Sequence, residues 1–139
     1  MQSLLKRLTS IWVVLTTAMN SQPEILKRRT KTFALRIVKL FKALPTTEDG
    51  RVIGKQLLRS GTSVASNYRA VCRSRSKAEF VAKVGVVVEE ADETVFWLEL
   101  CCELGLVGAA RIQGLLKEAN ELLAIFAASQ RTARANRNK

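Results

Sequence analysis

The stretch from Ser76 to Leu104 constrains the fold most, because it carries one uninterrupted apolar seam. Phe80, Val84, Val87, Ala91, Thr94, Leu98 and Cys101 recur at spacings of four, three, four, three, four and three. That is the pattern of a helix packed nearly parallel or antiparallel to its neighbours. A second seam of Val81, Val88, Val95 and Cys102 runs beside it, so the apolar face suits two neighbouring helices, or one neighbour and another subunit. Ser76-Lys77-Ala78-Glu79 reads as a capping box, with the serine hydroxyl accepting the N3 amide and the glutamate reaching back to the cap. Gly105 supplies a stop, and an unbroken helix between the two would be roughly 40 Å long.

Three further helices follow from the same reasoning. Ser21, Pro23 and Glu24 mark a helix start, and Leu26, Phe33, Ile37, Leu40 or Phe41, and Leu44 form one apolar stripe that Pro45 ends. After the Thr46 to Gly50 turn, Ile53, Leu57, Gly61, Val64, Tyr68 and Val71 give the next core face. The small and hydroxylated run from Ser60 to Ser66 is poor in helix formers, which calls either for close helix or subunit packing or for hydroxyls bonding back to their own helix carbonyls. Ile112, Leu115, Ala119, Leu122 and Phe126 define the last helix. The expected fold is therefore all-α: an antiparallel up-down four-helix bundle over residues 21–128, with helices at about 22–44, 51–73, 76–104 and 109–128. Residues 129–139 are polar and basic and read as a disordered tail.

The first twenty residues stand apart. Lys6 and Arg7 precede a short apolar segment, which imitates a secretory signal but lacks a small-x-small cleavage site. The competing readings are a start at Met19 or a short extra helix. No apolar run reaches the length of a membrane span, so a soluble protein with no membrane partner is expected, and the three unpaired cysteines suit a cytoplasmic location.

Charge narrows the functional classes. The net charge is +11 and the pI about 10.2, an excess that points to a polyanionic partner or an anionic surface. Lys27, Arg28, Arg29, Lys31, Arg36 and Lys39 on the first helix, Arg69, Arg73 and Arg75 at the end of the second, and Arg131 and Arg134 in the tail are the candidate nucleic-acid contacts. The third helix is acidic instead, with Glu89, Glu90, Asp92 and Glu93 clustered together. These acids are expected to pair with second-helix arginines, within the bundle or across a subunit boundary, rather than to form a carboxylate catalyst or Mg²⁺ site. Arg59, Ser63, Asn67, Glu89, Glu93 and Trp97 are the candidate inter-helix or oligomer contacts.

Histidine is absent, which removes imidazole acid–base chemistry, hydrolase triads and Glu-x-x-His di-iron sites together. Cys72, Cys101 and Cys102 have neither disulfide nor zinc spacing, so no metal and no cofactor is expected and an enzyme is disfavoured.

The segments QLLRSGTSVASNYRA, SRSKAEF, EEADETVFWLEL and ELG resemble a four-helix bundle family first noticed in intervening sequences of bacterial 23S rRNA genes. The resemblance runs from about Gln22 to Phe126 and rests on the Arg59-Ser60 pair, Asn67, the Ser76 to Phe80 segment and Leu104-Gly105 in order. It implies a bundle that assembles into a ring, typically a homopentamer with a positive surface. One branch is similar to the accessory variability protein of diversity-generating retroelements, which binds nucleic acid and a reverse transcriptase. Where many members read Asn-Ile-Ala-Glu-Gly, this chain has Asn67-Tyr68-Arg69-Ala70-Val71, without the acid and the glycine and with an added arginine. Two functions follow: a non-enzymatic oligomer that holds RNA or DNA by phosphate contacts, or a scaffold subunit for a reverse transcriptase or another protein.

Overall fold

A computed structural model describes residues 1–19 and 21–137, and over those residues the chain forms five helices and no strand. They are α1 (Gln2–Met19), α2 (Gln22–Ala43), α3 (Glu48–Val71), α4 (Lys77–Glu103) and α5 (Ala109–Arg137). The double seam of α4 is used as its width requires: α3 packs on one flank and α5 on the other, while α2 closes the bundle against α3 and α5 and lies diagonally opposite α4.

Side-chain contacts show the up-and-down sense. Along the α2–α3 contact, Gly54 lies against Leu44 and Phe41, and Gly61 lies against Ile37. Ser60 meets Thr94 between α3 and α4, Gly85 faces Gln130 between α4 and α5, and Arg29 reaches Glu118 and Glu121 between α2 and α5. Every core position expected on α2, α3 and α5 is buried, with Leu40 rather than Phe41 taking the inner place on α2.

The helix count differs from expectation. Residues 2–19 form a fifth helix, α1, which among the described residues touches α2 and no other helix, so the bundle comprises α2 to α5. Of the tail expected to be disordered, residues 129–137 are helical, since α5 continues to Arg137, and residues 138 and 139 lie outside the described residues. Extending a formed helix needs no new nucleus, and Gln, Arg and Ala are good helix formers. Ser129 donates to the Ile125 carbonyl at 2.9 Å, and Gln130 packs over Gly85.

Helix ends explain the register of the chain. Thr47 accepts the Gly50 amide, so α3 starts at Glu48, earlier than its apolar pattern suggested. Ser76 accepts the Glu79 amide at 3.1 Å, as a capping box requires, but Glu79 reaches past the cap to accept the Arg75 amide at 3.1 Å. At the other end of α4, Gly105 adopts φ +64°. The Gly105 and Leu106 amides donate to the Cys102 and Cys101 carbonyls, each at 3.1 Å. This double bond is a Schellman stop, which needs the left-handed conformation that glycine adopts without cost.

Candidate nucleic-acid interface

Basic side chains gather where the helical period of α2 and α3 puts them on one surface. On α2, Arg28, Lys31, Lys39 and Lys42 recur at spacings of three, eight and three and are exposed. On α3, Arg51, Lys55 and Arg69, at spacings of four and fourteen, are likewise exposed on one face. Because the helices run antiparallel, Arg28 and Lys31 face Arg69 at one end of the α2–α3 groove, with the Thr62 and Ser66 hydroxyls between them. Lys42 faces Arg51 and Lys55 at the other end. Among the described residues, no acidic side chain lies within ion-pair distance of Lys31, Lys39, Lys42, Arg51, Lys55 or Arg69. Lys27 lies over the same groove but is held by Glu24 at 2.9 Å.

The remaining expected contacts divide differently. Arg29 does not face the groove: its Nε donates to Glu118 at 2.7 Å and its Nη2 to Glu121 at 2.5 Å, which ties α2 to α5. Arg36 also turns toward α5, lying over Gly114 so closely that a Cβ there would come within 3.0 Å of its Nη2. Arg73, Arg75, Arg131 and Arg134 are exposed but sit at the end of the bundle where α3 turns into α4 and α5 finishes. The groove cations Lys42, Arg51 and Lys55 fell outside the expected site. The signal for them was present in the spacing from Lys39 to Lys42 and from Arg51 to Lys55, each of which continues an exposed stripe.

The acidic cluster of α4 is partly consumed inside the bundle. Arg59 donates from Nη1 to Glu90 at 3.2 Å and from Nη2 to Glu93, clamping α3 to α4. Trp97 Nε1 donates to the same Glu93 at 3.1 Å, and its ring stands edge-on to exposed Phe96 at 4.9 Å. The Arg59 hydrogen bond, with the Trp97 bond behind it, holds the Glu93 carboxyl below its ordinary 4.5. Glu89 is exposed on the outer face of α4, while Glu90 is the acid that meets Arg59 between the helices. Asn67 and Ser63 bond to each other within α3, the amide donating to the Ser63 hydroxyl at 2.7 Å and to its carbonyl at 2.9 Å.

Under this clamp, the buried Ser60 and Thr94 hydroxyls share a 2.9 Å hydrogen bond between α3 and α4. Thr62 and Ser66 bond back to the Leu58 and Ser63 carbonyls. The hydroxyl-rich run of α3 therefore serves both purposes that its composition allowed, close packing and back-bonding. The three cysteines are free, and burial, with Cys102 beside it, pushes the Cys101 thiol up to about 11. Among the described residues, no group of three or more Cys, Asp or Glu side chains is arranged to hold a metal ion.

The fold and surface define a class: an all-α helical bundle with a basic groove between two antiparallel helices. Residues 24–128 match the 23S rRNA-intervening sequence protein family, and the chain belongs to that family. It is also similar to a crystal structure of a protein of unknown function from the S23 ribosomal protein family of Bacteroides thetaiotaomicron, with 32% sequence identity and a TM-score of 0.70. That similarity covers 75% of this chain and 96% of the other. No curated protein matches the chain.

Proposed function

We propose that the protein is a non-enzymatic, oligomeric nucleic-acid-binding bundle that grips phosphates along the α2–α3 groove. The observation that carries this reading is that the groove cations Lys31, Lys42, Arg51, Lys55 and Arg69 have no acidic partner among the described residues, where Arg29, Arg59 and Lys27, by contrast, are already neutralised. A cation not engaged by a carboxylate is available to displace a phosphate counterion. The groove presents no aromatic side chain beyond Phe41, so stacking on single-stranded bases contributes little, and the expected ligand is a structured RNA or a duplex DNA read through its backbone.

Self-assembly is the second part of the proposal. The outer face of α4 carries exposed Val86 and Phe96 among Glu89, Asp92, Glu99 and Glu103, which is neither core nor an ordinary solvated stripe. A partner surface for it must be apolar and basic. A scaffold role, in which the ring presents a protein such as a reverse transcriptase, would use this α4 face rather than the groove.

Fluorescence anisotropy against a structured RNA and a duplex DNA over a salt series tests the reading. Substantial affinity with log K falling linearly in log[salt] is expected, and Lys31→Gln with Arg69→Gln should reduce the slope by about 1 to 2 units. Failure of both polymers to bind at low salt would overturn the proposal.

A further inference from the structure

α1 carries an exposed apolar surface. Leu4, Leu8 and Ile11 recur at spacings of four and three, and Leu5 and Trp12 border them, which places five large apolar side chains on one side of the helix. All five are well exposed, from 49% for Leu8 to 72% for Trp12. Lys6 and Arg7 are the charged side chains of the helix, and α1 contains no acid.

Placement adds a second, independent observation. α1 enters α2 at the bundle end where Pro23 lies beside the α3–α4 turn. That turn carries exposed Arg73, Arg75 and Lys77, and the final two turns of α5, with Arg131 and Arg134, run alongside the start of α4 at the same end. The acids there, Glu24 and Glu79, are engaged by Lys27 and Lys83 at 2.9 and 2.6 Å. An apolar helix face and a polybasic cap therefore share one end of the molecule.

We infer that α1 is an interfacial helix that lies in the surface of an anionic lipid bilayer and holds the basic end of the bundle against the headgroups. No helix among the described residues is long and apolar enough to cross a membrane, so the helix lies on the bilayer rather than through it. Charge selects this occupant over a second copy of α1. Pairing two α1 helices would bring Lys6 and Arg7 near their own copies with no acid to offset them, and the other side of the helix, with Ser3, Thr9 and Ser10 beside exposed Val13 and Val14, has none of the opposite charges that specify zipper pairing. An anionic bilayer satisfies both components, apolar burial for Leu4, Leu8, Ile11 and Trp12 and counter-charge for the basic cap. The residues involved are distinct from the groove cations, so the two surfaces are separable.

Flotation of the full chain with phosphatidylcholine–phosphatidylglycerol vesicles, and with pure phosphatidylcholine vesicles, tests the inference. Binding to the mixed vesicles is expected, with little to the neutral ones, and with a blue shift of tryptophan emission that Trp12→Phe removes and Trp97→Phe retains. Leu8→Gln and Ile11→Gln leave the net charge unchanged and should each weaken binding about tenfold. Neither should move the urea midpoint of the bundle or the salt slope for nucleic acid. The inference is overturned if the anionic vesicles do not bind, or if both glutamine variants bind them as well as the parent, since the basic surface alone would then account for adsorption. It is equally overturned if the variants lower the oligomer mass without vesicle binding by the parent, which would make a second copy of α1 the occupant.

Discussion

Gly61 sits on the α2–α3 contact, and a methyl group there would come within 2.8 Å of two carbons of the fully buried Ile37 side chain. A β-branched residue on a helix has little rotamer freedom to yield. Gly61→Ala should therefore destabilise the protein by about 1–3 kcal/mol, seen as a lower urea midpoint with an unchanged m-value. On the other flank of α3, Glu93 is the residue whose titration matters. Its folded pKa is lowered by Arg59, so the bridge contributes above the ordinary value of 4.5 and is lost as pH falls through the depressed one. The pair is partly solvated, which keeps its contribution within about 1 kcal/mol. Unfolding curves from pH 6 downward should show the parent losing stability below pH 4.5 more steeply than Glu93→Gln, while the two converge once the carboxyl is protonated.

At the level of the helix, the Schellman stop of α4 depends on one left-handed residue. Gly105→Ala should cost about 1 kcal/mol, and the open space around that position rules out a steric cause, leaving backbone conformation alone. Gly105→Asn should recover part of the loss, a distinction that thermal melts of the two variants would resolve. This stop, the seam of α4 and the core faces of α2, α3 and α5 were all legible in the chain, because period and punctuation are local properties. The end of α5 was not, since Gln130 owes its place to Gly85 on another helix. The basic face was half legible. Arg28, Lys31 and Arg69 fall on the groove as their spacing implies, whereas Arg29 and Arg36 point to α5 because they sit about 100° around α2 from the groove stripe. Glu90 rather than Glu89 meets Arg59 because successive residues of α4 point about 100° apart, which leaves Glu89 on the outer face.

Across the whole molecule, charge is sorted by helix. α2 and α3 present the cations, and α4, diagonally opposite, presents Glu89, Asp92, Glu99 and Glu103 with Phe96 half exposed among them. Two copies meeting through identical α4 faces would oppose acid to acid, so a stable contact must join this face to a different, basic face of the neighbour. Such head-to-tail contacts either close into a ring or propagate as a filament. Phe96 is the apolar anchor available to that contact, and an aromatic residue at the centre of an interface commonly carries a large share of its binding energy. Phe96→Ser, lying outside the core, should leave the thermal transition nearly unchanged while sedimentation velocity shifts toward the monomer. Losing the assembly also removes multivalency, so the apparent affinity for a long duplex should fall by about a hundredfold and the salt slope should decrease as fewer phosphates are engaged per particle. An unchanged sedimentation profile for Phe96→Ser would exclude α4 as the assembly face, and a monomer with undiminished duplex affinity would show that one groove suffices for binding.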